Sequence, residues 1–164
     1  MIKKINILFT SMFFVGYSRY APGTVASFIT CIIFIFFYIL QIKILLLVLL
    51  VVLIFTLSVY SIDKLGKFFN EVDAKEIVID EFVGQSIPNL TIYYFVSKND
   101  LTSFILYTFI SFLFFRFFDI TKTYPANIID KKMKNGFGVM LDDIVAGVYT
   151  SVVVLIITMA INHV

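Results

Sequence analysis

Several chemistries are missing from this sequence. It holds one cysteine, Cys31, inside the apolar stretch Phe28 to Leu40, so it has no partner for an internal disulfide and no second thiol for a metal site. No arginine loop follows Cys31, which leaves a cysteine-nucleophile phosphatase unsupported, and a small buried apolar residue is the plainer reading. The one histidine, His163, lies beyond the last apolar stretch. Histidine-nucleophile lipid phosphatases and Ser-His-Asp hydrolases are therefore excluded. No Asp-x-Asp pair marks an aspartyl-phosphate enzyme. Charge is scarce too: 15% of residues are charged, the net charge is +2, and no long basic run suggests nucleic acid.

What remains is apolar. Of 164 residues, 60% are hydrophobic, and the mean hydropathy is +1.00. A water-soluble globule of this size keeps roughly a third of its unfolded-chain surface in water. Here that surface would be Phe, Ile and Leu, so a bilayer is the consistent solvent. A helix needs about 20 mostly apolar residues to cross one. Thr24 to Leu40, Ile44 to Ile62, Leu101 to Phe118 and Ile144 to Ile161 supply four such stretches. Glu76 to Val96 is apolar but interrupted by Asp80, Glu81, Gly84, Gln85 and Pro88, and is expected to cross as a kinked polar helix. Lys3 and Lys4 ahead of the run Ile5 to Gly16 imitate a signal peptide, but no small-x-small cleavage site follows. That run is expected to be a retained short helix, interfacial or packed on the bundle. The expectation is one all-α membrane domain over residues 1–164 with about five embedded helices.

Alternating the sides sorts the charges. With Tyr17 to Gly23 inside, Arg19, Lys64, Lys67, Lys75, Arg116, Lys122, Lys131, Lys132 and Lys134 fall at the inner face, and Lys43 and Lys98 outside. The acids were not used in that choice. Even so, Asp63, Glu71, Asp73, Glu76, Asp80, Glu81, Asp119, Asp130, Asp142 and Asp143 fall inside, and Asp100 alone outside.

Three acidic groups stand out: Asp80-Glu81 in an apolar context, Asp119 with Arg116 in a phenylalanine run, and Asp142-Asp143 at the mouth of the last span. Ionisable residues at membrane depth are costly and read as functional, with a partner nearby. Each has a plainer reading as well. Arg116 and Asp119, three apart, can simply pair, and Asp142 can cap the last helix. Neither explains why distant acids gather on one side. Clustered carboxylates without His or Cys suit a hard cation such as Mg²⁺. Arg19, Arg116 and Lys122 could take a phosphate opposite the metal, as could the free N–H groups where the loop from Tyr17 ends at Gly23 and Thr24. In Asn135-Gly136-Phe137-Gly138 the glycines fit a tight turn better than a close backbone approach. The remaining chemistry is metal-assisted attack of water on a phosphomonoester, with a spare carboxylate taking the proton. A divalent-cation transporter also uses intramembrane acids but needs them near mid-bilayer, whereas Asp119, Asp142 and Asp143 sit at span ends.

Three blocks then resemble the phosphatidylglycerophosphatase A family, in its order. They are Ala21 to Ser27; Asp73 with Ile77 to Gly84; and Phe115 to Asp119 with Lys122, Pro125, Asp130, Gly136, Gly138 and Met140 to Gly147. The resemblance spans about Gly16 to Val148. It implies a Mg²⁺-dependent, multi-pass enzyme of the bacterial cytoplasmic membrane. That enzyme would hydrolyse phosphatidylglycerophosphate to phosphatidylglycerol and phosphate at the inner face. Residue by residue, Asp80, Glu81, Asp119, Asp142 and Asp143 match its acidic motif positions, expected as metal ligands and catalytic groups, and Arg116 and Lys122 its basic ones. Two departures stand: Lys122-Thr123 where the family usually has Lys-Pro, and Ser18-Arg19 where it commonly has Ser-Pro. Arg19 as a phosphate ligand is thus read from its position alone.

Overall fold

The computed structural model describes residues 2–69, 74–97 and 99–162, with the backbone alone for residues 2, 3, 66–69 and 162. Glu71, Asp73, Lys98 and His163 lie outside the described residues, as does the side chain of Lys67. Seven α-helices follow one another, with no strand among the described residues: α1 Ile2–Thr10, α2 Pro22–Ile39, α3 Ile44–Phe69, α4 Ile79–Phe95, α5 Leu101–Thr121, α6 Ala126–Lys132 and α7 Gly136–Asn162. A 3₁₀ turn, Val15–Tyr17, joins α1 to α2.

Helices α2, α3, α5 and α7 are each long and apolar enough to cross a membrane. Their outward faces carry large apolar side chains such as Phe36, Leu49, Leu53, Phe109 and Ile156, more than half of each exposed. In water such surfaces would drive aggregation; in lipid they are the solvated surface. Helix α4 is different. It is the shortest of the five and packs against α2, α3, α5 and α7. Burial by those four lets its Asp80, Gln85, Ser86 and Asn89 lie in the bundle interior.

Helix α4 runs as one helix through Pro88. Proline removes one N–H, the one that would have bonded the Gly84 carbonyl four residues earlier. That carbonyl meets α7: a Cβ on Gly147 would sit 2.3 Å from it. The absence of side chains at Gly84 and Gly147 thus brings the two backbones into contact beside the proline. Lower in the bundle, the Gln85 amide donates to Asn89 Oδ1 (3.3 Å) and Ser111 Oγ (3.1 Å), tying α4 to α5. Elsewhere in the bundle the rings of Tyr38 and Phe104 stack with their centroids 4.0 Å apart.

The N-terminal run forms the expected short helix packed on the bundle, against α3, though it stops at Thr10. The start of the last helix is corrected. Helix α7 begins at Gly136, eight residues before Ile144, so Asp142 is not its cap. The cap is Asn135, whose Oδ1 accepts from Gly138 N at 2.8 Å, while Asp63 of α3 accepts from Gly136 N at 2.5 Å. Gly136 and Gly138 are helical, not a turn. A Cβ on either would come within 2.4 Å of a carbonyl of Val59 or Met133, so close approach is their reason.

Candidate active site

The N-termini of α2, α4 and α7 and the C-terminus of α5 meet at one end of the bundle. Asp80 and Glu81 lie in the first turn of α4, where the helix dipole favours negative charge. Asp143 reaches them from α7 because the helices touch at Gly84: a Cβ there would lie 2.8 Å from the Asp143 carbonyl. Asp80, Glu81 and Asp143 each bring a carboxylate oxygen to within 4.8 Å of the others. Asp80 and Asp143 are buried, at 9% and 4% exposure.

Arg116 of α5 approaches this group from the other side. Its Nη1 lies 2.6 Å from Asp119 Oδ2, 3.4 Å from Ser27 Oγ and 3.9 Å from Glu81 Oε1. The i,i+3 pair anticipated from spacing therefore forms, and the same guanidinium also faces Glu81. Asp119 stands outside the group of three, paired with the arginine. Asp142, adjacent to Asp143, turns elsewhere. Its Oδ2 accepts from Lys122 Nζ at 3.0 Å, and Asp130 of α6 accepts from the same ammonium at 2.8 Å. Successive helical residues diverge by about 100°, so neighbouring acids serve two different clusters. Lys122 occupies the left-handed region (φ 43°) as it closes α5. Partial burial would lower its pKa, but the bonds to Asp130 and Asp142 outweigh this and hold the ammonium above its ordinary value. The bond from Lys122 holds the Asp130 carboxyl below the usual range.

Gly23, in the first turn of α2, is packed into the cluster: a Cβ would lie 1.8 Å from Glu81 Oε1 and 3.3 Å from Arg116 Nη1. Its expected role in offering an N–H to an anion is thus joined by a steric one. A Gly23→Ala change should leave the bundle folded while displacing the Glu81 carboxylate. The rate of any reaction at this site should fall by about tenfold to a hundredfold, and an unchanged rate would show that Glu81's position is immaterial. Thr24 is half-buried one residue further along. Arg19 is exposed, its guanidinium 5.6 Å from the centre of the Tyr20 ring, and no ion pair among the described residues joins it to the carboxylates.

Sequence reasoning passed over Ser27 and Gly84 as site-forming residues. Ser27 lies four residues beyond Gly23, hence on the same face of α2, and that spacing was the available signal.

The donor set fits a hard dication. Glu81 Oε2 and Asp143 Oδ2 are buried and have no hydrogen-bond partner. Two such oxygens in a site with few counter-charges cost several kcal/mol unless a cation joins them. All the ligand atoms are carboxylate oxygens, as Mg²⁺ prefers.

The sequence model of the family described as Phosphatidylglycerophosphatase A matches residues 8–158. The Phosphatidylglycerophosphatase A of Haemophilus influenzae is 35% identical over 105 residues, covering 61% of this chain and 56% of that protein. The Escherichia coli protein of the same name is 32% identical over 95 residues, 58% of this chain and 51% of its own length. This chain thus aligns with about half the length of those two relatives. A Bacteroides thetaiotaomicron protein, provisionally named as a phosphatidylinositol-3-phosphatase, is 34% identical over 156 residues, 92% of this chain and 91% of that protein. No solved structure matches.

Proposed function

The chain belongs to the phosphatidylglycerophosphatase A family, and from that premise we propose that it is a lipid phosphatase, releasing inorganic phosphate from phosphatidylglycerophosphate with Mg²⁺ at the cytoplasmic face of a bacterial membrane. The observation that carries the reading is the convergence of Asp80, Glu81 and Asp143 beside a single arginine at one end of an apolar bundle. Orientation follows from the positive-inside count, since the same end gathers Arg116, Lys122, Lys131, Lys132 and Lys134.

Asp80, Glu81 and Asp143 would hold the cation. When bound, it supplies the Lewis acidity that polarises a phosphoryl oxygen and acidifies nearby water. Arg116 presents its guanidinium to the phosphate, a planar fork suited to paired contacts. Asp119, 2.6 Å from that guanidinium, holds it as a positioning residue. A carboxylate oxygen of the site not engaged by the cation accepts the water's proton. The water oxygen bonds to phosphorus as the P–O bond to the lipid breaks, and the lipid oxygen takes up a proton, leaving a lipid alcohol and inorganic phosphate. Lys122, clamped between Asp130 and Asp142, holds α5, α6 and α7 together at the rim.

A second reading, hydrolysis of a phosphoinositide, is favoured by the near full-length similarity to the Bacteroides protein. Purified protein in mixed micelles with each lipid separates the two. Phosphate release from phosphatidylglycerophosphate, abolished by a chelator and restored by Mg²⁺, is expected. Faster release from phosphatidylinositol 3-phosphate would move the assignment to the second lipid, and release from neither would overturn both. A cation transporter is not favoured: the carboxylates gather toward one end of the bundle, and the polar seam of Gln85, Asn89 and Ser111 is made of amides and hydroxyls.

A further inference from the structure

The segment between α1 and α2 has no part in the chemistry above, yet its build is unusual. Met12, Phe13 and Phe14 all lie in the left-handed backbone region, with φ of 47°, 54° and 72°. None is a glycine, so the conformation is costly three times over. Its effect is to turn aromatic side chains outward: Phe13 is 79% exposed, Phe14 61%, Tyr17 51% and Tyr20 74%.

The loop is held in this shape. Phe13 N donates to Leu8 O at 2.8 Å, Gly16 N to Ser11 O at 3.0 Å and Phe14 N to Ser11 Oγ at 3.2 Å. Gly16 is wedged against the main chain of Glu76, where a Cβ would lie 2.0 Å from the carbonyl oxygen. Both ends are tied to the elements that carry the acids. Thr10 O accepts from Val78 N, just ahead of α4, and Pro22 opens α2 one residue before Gly23 meets Glu81. The loop therefore lies level with the carboxylate site, at the end of the α2 span.

Its underside is apolar too. Phe9, Met12 and Phe13 roof a groove of about 230 Å³ whose other walls include Ile33, Ile54 and Phe82. A surface greasy above and below, immediately beyond a span long enough to cross a membrane, matches the boundary layer of a bilayer. The composition suits that depth. Phenylalanine rings favour the acyl edge, and tyrosines with Arg19 over Tyr20 favour the headgroups.

We propose that Met12–Tyr20 is an interfacial anchor. Its aromatic side chains enter the headgroup–acyl boundary of the phospholipid bilayer and set the depth at which the neighbouring carboxylates meet a lipid phosphate. The anchor rests on the membrane embedding of the bundle, and its test needs no turnover, so it stands or falls apart from the phosphatase assignment.

The chain has no tryptophan, so Phe13→Trp and Tyr20→Trp each introduce a single fluorophore at an exposed position that tolerates it. Full-length protein is reconstituted in vesicles of phosphatidylcholine and phosphatidylglycerol, with or without acyl-chain-brominated phosphatidylcholine. Expected for Phe13→Trp is blue-shifted emission that loses about half its intensity to bromolipid and resists aqueous iodide. Tyr20→Trp, nearer the headgroups, should be quenched by shallow bromines more than deep ones. Quenching by iodide without quenching by bromolipid would overturn the proposal by putting the loop in water. Shielding from both quenchers would also overturn it, by putting a protein surface over the loop.

Discussion

An Asp143→Asn variant is expected to melt at a higher temperature than the parent without divalent cation, yet to release phosphate about a thousandfold more slowly with it. The opposite signs have one cause. Asp80, Glu81 and Asp143 bring oxygens within 4.8 Å of one another. At an effective dielectric of about 20, two unit charges at that distance repel by roughly 3 kcal/mol. Arg116 offsets part of this but is drawn closest to Asp119, at 2.6 Å. Asparagine keeps the volume of Asp143, removes one charge, and can donate an amide proton to a neighbouring carboxylate. A gain of about 1–2 kcal/mol would raise the midpoint by roughly 2–8 °C for a chain of this length.

With cation present the order should reverse. Binding to the folded state alone stabilises it by RT ln(1 + c/Kd), c being the free cation concentration, so the parent should gain an upward shift with Mg²⁺ that the variant lacks. Loss of a charged ligand that supports several kcal/mol of transition-state stabilisation accounts for the thousandfold fall in rate. The measurement is a thermal melt in detergent, with and without Mg²⁺, beside the micelle assay. A variant that melts lower without cation and keeps the Mg²⁺ shift would make Asp143 a structural acid. Full activity would remove it from the site.

The second large effect is expected one helical turn from the carboxylates. Gly147→Ala should cost about 1–3 kcal/mol and slow the reaction about a hundredfold, although the added methyl touches no charged side chain. Its carbon would lie 2.3 Å from the Gly84 carbonyl oxygen, a backbone atom that cannot swing away. The helices must separate, and Asp143, one turn from Gly147 on α7, moves with them. Misplacement on the order of 1 Å is enough for the loss in rate. The control is Val148→Ala, at an exposed neighbouring position, where activity and stability should hardly change. A Gly147→Ala protein with parental rate and melting temperature would mean that α4 and α7 are not held by that contact.

Much of this protein was determined by sequence alone. An apolar excess with so little charge leaves only lipid as solvent, and apolar run length then sets the spans: α2, α3 and α5 start within two residues of where hydropathy placed them. Alternation of sides gathered Asp80, Glu81, Arg116, Asp119, Lys122, Asp142 and Asp143 at one end, because each crossing reverses the chain. The order of the motif blocks carried the family. Tertiary structure decided how those residues divide. Helical period says which residues share a face but not which face meets which helix, and that depends on backbone contact at Gly84 and Gly147. Only there does it emerge that Asp143 joins Asp80 and Glu81 while Asp142 turns to Lys122, and that Asp119 stands outside the group of three, paired with Arg116. The start of α7 escaped the sequence for a similar reason. Its cap is shared between Asn135 and Asp63. Asp63 lies on α3, and no local pattern reports a hydrogen bond from that far along the chain.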